Sequence, residues 1–225
     1  MHVDQAIQER RSIRGFLDKP VSREILEEVI ALANRAPSSM NTQPWHLHVL
    51  TGEPLEQIRK GNTERMLAGV KPTRDIEDYA AYEDEHRERQ IEIAVQLFEA
   101  MGIKRHDAQK RQDWVMRGFR QFDAPVSIVV CFDRKLLNNT IAHFDTGAMT
   151  YGLVLAAWSR GLGAVINGQG IMQSPVVREV ANIPDDQVIL TCVALGWPDE
   201  EFVANSVISH RRPIENIARF LGFDR

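Results

Sequence analysis

Apolar positions recur with the spacing of a helix in two segments near the start of the chain. Residues 3–9 carry their apolar side chains on one helical face and lead into a basic segment, Arg10–Arg14. A second helix begins after Ser22, whose hydroxyl can cap the free N–H groups of the first turn, and Pro37 ends it. Its predicted buried stripe comprises Ile25, Leu26, Val29, Ile30 and Ala33.

Three later segments have the pattern of β-strands. Residues 45–50 (WHLHVL) alternate in the way a half-buried strand does. Residues 126–132 and 188–195 are unbroken apolar runs, typical of central strands covered on both sides. In the first strand, the face predicted to be buried comprises Trp45, Leu47 and Val49.

The last third of the chain mixes helix and strand. Residues 144–160 are apolar nearly all round and predict a core helix that stops at Gly161. Residues 163–166 predict a short strand, and Ser174 as N-cap with Pro175 predicts the start of another helix. Because helices and strands do not alternate strictly, we expect an α+β fold in which helices surround a mixed central sheet.

Residues 60–121 differ in character from the rest of the chain. They are strongly charged, lack strand signals and carry apolar residues at helical spacing. We interpret them as a helical insertion, a lid or a dimer arm, within a single domain that spans residues 1–225. The predicted apolar stripe of the insertion comprises Ile91, Ala94, Val95, Phe98 and Met101.

The composition and net charge limit the kinds of partner that the chain is expected to bind. The chain has 225 residues, 44% of them hydrophobic, and a net charge of -4, so nothing draws it as a whole to nucleic acid or anionic membranes. No stretch reaches the roughly 18 apolar residues that a membrane span requires, and the charged N-terminus is unlike a signal peptide. We therefore expect a cytoplasmic protein that binds small molecules, without a nucleic-acid or membrane partner.

Motifs for catalysis by protein side chains are missing from the sequence. Cys131 and Cys192 lie in apolar runs without CxxC spacing and are predicted to be buried core thiols. His46 and His48 share a strand face, but no carboxylate or further histidine completes a metal site at a familiar spacing. We predict no catalytic side chain and no metal, which favours chemistry done by a bound cofactor.

Four polar segments are candidates for holding such a cofactor. The basic segment RRSIR places Arg10, Ser12 and Arg14 on one side if it is extended, which suits an anionic group. The loop PSSMNTQPW (37–45) offers hydroxyls and amides for the polar edge of a flat heterocycle. The segment NGQG (167–170) lets backbone approach a ring closely, although the Rossmann fingerprint GxGxxG is absent. The fourth is HRRP near the C-terminus, and each segment taken alone also fits a solvated face or a simple turn.

The order of these segments along the chain resembles the FMN-dependent nitroreductase family. The resemblance spans nearly the whole chain, and the first 50 residues, with RRSIRGF and APSSMNTQPWHLHVL, are its most specific part. It implies an α+β fold, an interlocked homodimer and two FMN sites at the subunit interface, each lined by both chains. The residues assigned to FMN on this basis are Arg10, Arg11, Ser12, Arg14, Pro37, Ser38, Ser39, Asn41, Gln43, Gln169, Gly170 and Arg211.

The resemblance also implies a role for each segment. The basic segment holds the FMN phosphate and the pyrimidine edge of the ring, while Ser38, Ser39 and Asn41 come from the other subunit. Backbone N–H groups at Gln169 and Gly170 lie near flavin N5.

Two departures from the family pattern affect these assignments. Arg211 binds phosphate in the family pattern, but Ser209 stands where family members often carry a lysine. The insertion 60–121 is longer than in short family members, so ring contacts from it do not transfer, and Arg120 is a candidate only.

The activity implied by the resemblance is a ping-pong hydride transfer. FMN takes hydride from NADH or NADPH and passes it to a small aromatic acceptor, a nitroaromatic in the leading hypothesis. Reductive dehalogenation, which would use a Glu, Tyr and Lys set near Tyr79 and Tyr82, and ene or quinone reduction stay open. An FMN carrier or redox sensor without turnover is the alternative outside the enzymes.

Overall fold

In the described part of the chain, the segments predicted from the sequence form a four-stranded sheet with helices on both faces. The computed structural model describes residues 2–76 and 81–223. Its α-helices are α1 (Val3–Glu9), α2 (Arg23–Ala33), α3 (Gly52–Leu67), α4 (Asp84–Ala100), α5 (Ala108–Phe119), α6 (Thr140–Trp158) and α7 (Ser174–Val180). Its β-strands are β1 (Trp45–Thr51), β2 (Val126–Asp133), β3 (Gly163–Ile166) and β4 (Gln187–Gly196).

The sheet has the strand order β1-β2-β4-β3, and each neighbouring pair is antiparallel. A parallel bridge between Ser12 and Ala164 adds the segment after α1 to the β3 edge. β2 and β4 lie at the centre, and the side chains of β2 from Val126 to Phe132 are buried. This position confirms that the two unbroken apolar runs are central strands.

Two hydrophobic clusters hold the helices on the sheet. On one face, Leu26 of α2 and Leu153 of α6 pack against β2 and β4. On the other face, Leu55 of α3 and Val177 of α7 pack against the same two strands. Burial of each such side chain contributes about 1.5–3 kcal/mol, so the clusters fix the sheet on which the β3 edge is built. The predicted α+β fold is confirmed.

A side-chain cap precedes the first residue of α2, whereas no side chain caps the start of α7 among the described residues. Ser22 Oγ accepts a hydrogen bond from Ile25 N at 3.4 Å, which confirms Ser22 as the N-cap of α2. Ser174 is the first residue of α7 and not its cap, and its hydroxyl donates to Ile171 O at 3.0 Å. The prediction for α7 was therefore wrong by one residue, which is the usual uncertainty of a helix end.

β1 is an edge strand, and its buried face differs from the predicted one. Trp45 is 8% exposed and Leu47 is partly buried, as expected. Val49 is 40% exposed, however, and Leu50 on the opposite face is 8% exposed. The alternation fails at the end of β1 because α3 covers the second face of the sheet there and buries Leu50.

α6 is apolar on nearly every side, but it is buried on only one. It begins at Thr140 and not at residue 144, because Asn139 Oδ1 accepts hydrogen bonds from the backbone of the first turn. Its outer side exposes Ile141 by 50%, Phe144 by 74% and Tyr151 by 42%. Among residues 2–76 and 81–223, no helix combines the length and apolar character needed to cross a membrane. The cytoplasmic location stays a prediction.

Residues 60–121 are helical over most of the part that the structure describes. The segment starts inside α3, whose Ile58 belongs to the sheet-covering core, and continues through α4 and α5. In α4, Leu97 is buried, whereas Ile91 and Val95 of the predicted stripe are 47% and 45% exposed. Ala94, Phe98 and Met101 of the stripe are half-buried, so the prediction is correct for these three residues and missed Leu97.

Candidate functional site

A cavity of about 320 Å³ lies where β3 ends and the chain turns towards α7, and we call it the edge cavity. Arg14 lines one part of it, and the stretch from Val165 to Gln169 lines another. The other lining residues are Arg74, Phe122 and Met172. The fold thus brings the basic segment and the NGQG segment, far apart in sequence, to one place.

Of the charged residues assigned to FMN from the sequence, Arg14 is the one that lines the edge cavity. Burial lowers its pKa to about 10, and within the described residues no neighbouring charge offsets this effect. Its Nη1 donates only a long hydrogen bond of 3.4 Å, to Ser12 O. A desolvated guanidinium without a counter-charge attracts an anionic or electron-rich ligand edge.

The basic segment 10–14 is extended and is fixed from two sides. Ile13 N donates to Ala164 O at 3.1 Å, which pairs the segment with β3. Asn205 Oδ1 accepts from Arg14 N at 2.7 Å. Asn205 is 3% exposed and was missed by the sequence analysis, since it lies in the polar tail without a motif around it. Together these contacts set the direction in which Arg14 points.

Arg10 and Arg211 come together, although they lie at opposite ends of the chain. Burial lowers the pKa of Arg10, Tyr151 acts against this, and the charge of Arg211 lowers the pKa again. Arg211 Nη1 donates to Ser209 O at 3.0 Å and to Ser209 Oγ at 2.8 Å. Ser209 therefore binds the Arg211 guanidinium through both its backbone and its side-chain oxygen. Two arginine charges close enough to influence each other suit a phosphate group.

Arg11 is bound to other parts of the same chain through its guanidinium. Its Nε donates to Asn205 O at 2.6 Å, and its guanidinium lies 5.4 Å from the centroid of the Trp158 ring. The side chain also borders a small pocket of about 70 Å³ shared with Arg10 and Ser12. A phosphate contact from Arg11 stays a prediction.

The polar loop 37–43 lies at the start of α6. Ser39 N donates to Asp145 Oδ2 at 2.9 Å, and Gln43 N donates to Ser38 Oγ at 3.0 Å. Most of its side chains point to solvent in this single chain. The exposed residues of the loop are Pro37, Ser39, Met40, Asn41, Thr42 and Gln43.

Within one chain the loop 37–43 and the basic segment lie along different parts of α6. The loop is bonded to Asp145, whereas Arg11 lies over Trp158 at the other end. These two positions are separated by about 20 Å along the helix axis. The small pocket that contains Arg10 is lined by the second half of α6 and by β3, and not by the loop.

The NGQG segment is held by side-chain amides. Gln169 N donates to Asn167 Oδ1 at 3.0 Å, so this N–H is used within the segment. Asn62 of α3 donates from Nδ2 to Gln169 O at 3.1 Å. Gly170 is buried and does not line the edge cavity, so its role as a donor to a ligand stays a prediction. Asn62 carries no motif, and the sequence analysis did not find it.

Gly170 is required by the core side of the segment. A Cβ at this position would come within 2.7 Å of both Cys192 Sγ and Gln121 Cγ. Burial raises the pKa of Cys192 to about 12, and burial raises that of Cys131 to about 12 as well. Both cysteines are buried free thiols, as predicted, and both stay protonated at neutral pH.

Arg74 is a second guanidinium at the edge cavity, and the sequence analysis missed it. Thr73 N donates to Met172 O at 2.8 Å, and Asp75 Oδ2 accepts from the backbone of β4 at 2.9 Å. Between these two anchors, Arg74 Nη2 donates to Gly168 O at 3.2 Å. Nothing in the sequence distinguishes Arg74 from the many other arginines of the charged insertion.

Other candidates from the insertion lie away from the edge cavity. Arg120 Nε pairs with Asp123 Oδ1 at 3.0 Å and lines a neighbouring groove. Tyr82 is 54% exposed, and its ring centroid lies 6.5 Å from that of His86. Tyr79 lies outside the described residues. Within the described part of the chain, the edge-cavity lining contains no Glu, Tyr or Lys, so it does not assemble the set expected of a dehalogenase.

Comparisons with known proteins agree with this arrangement of segments. The model of the nitroreductase family matches residues 7–197. The chain is 36% identical over 222 residues to a nitrobenzene nitroreductase of Ectopseudomonas oleovorans, covering 97% of this chain and 96% of the relative. It is 34% identical over 226 residues to a chloronitrobenzene nitroreductase of Comamonas testosteroni, with 97% and 96% covered. The crystal structure of the FMN and NADPH-dependent nitroreductase NfnB from sphigopyxis sp. strain HMH matches with a TM-score of 0.94 and 27% identity, covering 99% of this chain and 100% of that chain. The chain therefore belongs to the nitroreductase family.

Proposed function

We propose that this protein is an FMN-dependent oxidoreductase that takes hydride from NADH or NADPH and reduces a small nitroaromatic acceptor. The two relatives above are nitrobenzene and chloronitrobenzene nitroreductases, and the structural neighbour is FMN and NADPH-dependent. The observation that carries the proposal is Arg14 at the wall of the edge cavity, a poorly solvated guanidinium that has no charged partner among the described residues. A ligand that brings negative charge to this wall completes the site.

The residues near the β3 edge fit FMN in two respects. Arg10 and Arg211, whose charges influence each other, would hold the phosphate. Arg14 would supply a charge for the pyrimidine edge at the wall of the edge cavity. Gly170 stays proposed as the backbone donor for ring N5. The other residues proposed to contact FMN are Arg11, Ser12, Pro37, Ser38, Ser39, Asn41, Gln43 and Gln169.

FMN held at this site would supply hydride transfer between the nicotinamide and the acceptor, which would occupy the cavity in turn. Arg14 would place a fixed, poorly solvated positive charge at the pyrimidine end. Asn62 and Asn167 hold the backbone of the NGQG segment in one position. Among the described residues, the lining of the edge cavity includes no carboxyl, imidazole or thiol, and we infer that water would supply the protons that nitro reduction consumes.

We also propose that the active form is a homodimer with an FMN site at each subunit interface. On the outer side of α6, the apolar residues Ile141, Phe144, Ala148 and Tyr151 follow the spacing of a coiled-coil seam. An exposed seam of this kind is typical of an interface. Antiparallel packing of two α6 helices would bring the loop 37–43 of one subunit to the Arg10 end of the other.

We treat the whole chain, 1–225, as a single FMN-binding domain with a helical insertion at 60–121. Arg74 of this insertion lines the edge cavity. Phe122, the first residue after the insertion, also lines it. The insertion therefore belongs to the wall that an acceptor meets, which supports a lid role.

The test of this function is a turnover assay on the purified protein. We expect yellow protein that oxidises NADH or NADPH when nitrobenzene is added, with nitrosobenzene and phenylhydroxylamine as products. If no acceptor accelerates the oxidation, the protein is an FMN carrier or sensor and the enzyme proposal is wrong.

Arg14→Met tests the observation that carries the proposal. It should weaken FMN binding by about 100-fold or more, because the ligand loses a buried charge partner. The same change should raise the free energy of unfolding of the FMN-free protein, since it removes a desolvated charge. Arg23→Met, at an exposed residue of α2, is the matched control and should change neither quantity. Unchanged FMN affinity of Arg14→Met would show that the site lies elsewhere.

A further inference from the structure

A strained turn directly after α5 forms part of the edge cavity. Gln121, Phe122 and Asp123 have φ values of 56°, 56° and 57°, three successive non-glycine residues in the left-handed region. Each such residue costs about 1–2 kcal/mol. Strain of this kind persists only where the surrounding structure enforces it, and it concentrates at ligand sites.

Arg59 of α3 holds the turn at both ends. The residue is 8% exposed, and its Nε donates to Arg120 O at 2.9 Å, just before the turn. Its Nη2 donates to Ala124 O, just after the turn. Because one rigid guanidinium bonds both flanking carbonyls, the distance between the two ends of the turn is fixed.

The last turn of α5, which leads into the strained turn, is held in the same way. Asn62 Nδ2 donates to Phe119 O at 3.1 Å, and Asn167 Nδ2 donates to Gly118 O at 2.8 Å. These are the two amides that also fix the NGQG segment. The strained turn, the last turn of α5 and the NGQG segment therefore form one rigid unit.

The side chain presented by this unit is Phe122. It is 7% exposed and lines the edge cavity. Its ring centroid lies 6.3 Å from that of Trp114 in α5, in a tilted aromatic pair. Trp114 lines a neighbouring groove of about 460 Å³ together with Met101, Ile103, Lys110, Asp113, Arg117 and Arg120. The Phe122–Trp114 pair thus separates the edge cavity from a second, larger space.

We propose that Phe122 is the specificity-determining residue that limits the length of the acceptor, and that Arg59 is its positioning residue. The inference rests on the proposed function, since it concerns the acceptor bound in the edge cavity. Phe122 closes the cavity towards the groove, so acceptors of one ring fit and acceptors with a second ring in line are rejected. Truncation of Phe122 joins the two spaces.

The experiment compares two acceptors that differ by one ring, nitrobenzene and 4-nitrobiphenyl. Phe122→Ala should raise kcat/KM for 4-nitrobiphenyl relative to nitrobenzene by about tenfold or more, because added apolar contacts in a pocket change selectivity by that order. Phe122→Leu, which removes less volume and is safer for folding, should raise the ratio by a smaller factor. The nitrobenzene value itself should fall, since Phe122 lines the cavity that holds the ring, and the proposal is therefore judged by the ratio of the two values.

A binding measurement without turnover accompanies the kinetics. Benzoate and biphenyl-4-carboxylate have the shape of the two nitroarenes and cannot be reduced. Their dissociation constants, read from the absorption of bound flavin, should shift with the same selectivity. Phe132→Leu is the matched control, because Phe132 is fully buried in β2, far from the edge cavity, and contacts His143. It should lower the melting temperature and leave both ratios unchanged.

Three outcomes would overturn the proposal. In the first, both Phe122 variants are destabilised like Phe132→Leu while the ratios stay at the wild-type value, which makes Phe122 an ordinary core residue. In the second, the variants lose FMN without a change in carboxylate selectivity, which makes Phe122 a wall for the cofactor. In the third, the nitroarene and carboxylate ratios move in opposite directions. If wild type fails to reduce nitrobenzene at all, the proposed function falls, and the carboxylate data still decide whether Phe122 limits ligand length.

Discussion

Two turns of this protein each hold three non-glycine residues in the left-handed region, and they differ in their surroundings. The turn 121–123 is mostly buried, with Phe122 only 7% exposed. The loop 37–43 holds three residues with φ between 45° and 60°, and Met40 among them is 93% exposed. The same backbone strain thus occurs once inside the chain and once on its surface.

The contacts that hold the two turns explain the difference. Arg59 and Asn62 of the same chain bond the carbonyls around the turn 121–123. The loop 37–43 is anchored to the rest of the chain at Ser39 by Asp145. Since strain needs surroundings that enforce it, the inner turn is complete in one chain, and the outer loop is expected to be completed by a second copy.

The largest expected effect comes from breaking the contact with that second copy. Phe144→Glu places a charge in the exposed apolar seam of α6 and should raise the dimer dissociation constant about 1000-fold, or about 4 kcal/mol. FMN should be lost with the dimer, because the loop 37–43 no longer reaches its site. Sedimentation and flavin absorbance measure both, and Leu32→Glu on the outer face of α2 is the control. A monomer of Phe144→Glu that keeps its flavin would refute the shared site.

A smaller effect is expected from releasing the inner turn. Arg59→Met leaves the carbonyls of Arg120 and Ala124 without their donor and should lower the free energy of unfolding by about 3 kcal/mol. Urea denaturation measures this loss. Arg160→Met removes an arginine that pairs with the exposed Glu28 and should lose less than about 1 kcal/mol. Equal losses in the two variants would mean that Arg59 does not hold the turn.

The smallest effect is expected in the outer loop of the isolated chain. Met40→Gly relieves a left-handed residue and adds flexibility to the unfolded chain, and the two effects nearly cancel. In the Phe144→Glu background, the free energy of unfolding should change by less than about 0.5 kcal/mol. Ala31→Gly, within α2, should cost about 0.5–1 kcal/mol in the same background. A loss at Met40 as large as at Ala31 would contradict this account of the loop.

Most of the fold could be predicted from the sequence, because the patterns that indicate its helices and strands are local. The unbroken runs that form β2 and β4, and the Ser22 cap of α2, depend on neighbours within a few residues. Val49 was placed wrongly because its burial depends on what covers β1 from elsewhere in the chain. The outer side of α6 was predicted to be core for a related reason. It carries the same apolar side chains as a core helix, although the chain itself leaves them exposed.

The candidate site could be predicted from the sequence only where its residues lie close together along the chain. Arg10 and Arg14 belong to a dense basic motif, and the fold places them at the β3 edge. Arg59, Asn62 and Asn205 act through single side chains that bond distant backbone groups. Such bonds have no spacing rule, so no pattern in one sequence indicates them. The assignment of individual residues to FMN accordingly stays a prediction.

The charge of Arg14 also affects how fast the protein is degraded in a cell. A half-buried guanidinium with no counter-charge among the described residues makes the apo chain less stable than the same chain with its ligand bound. A ligand that binds only the folded state stabilises it by mass action, and proteases remove the unfolded fraction. The abundance of this protein should therefore follow the supply of FMN, because chains without the ligand are degraded faster.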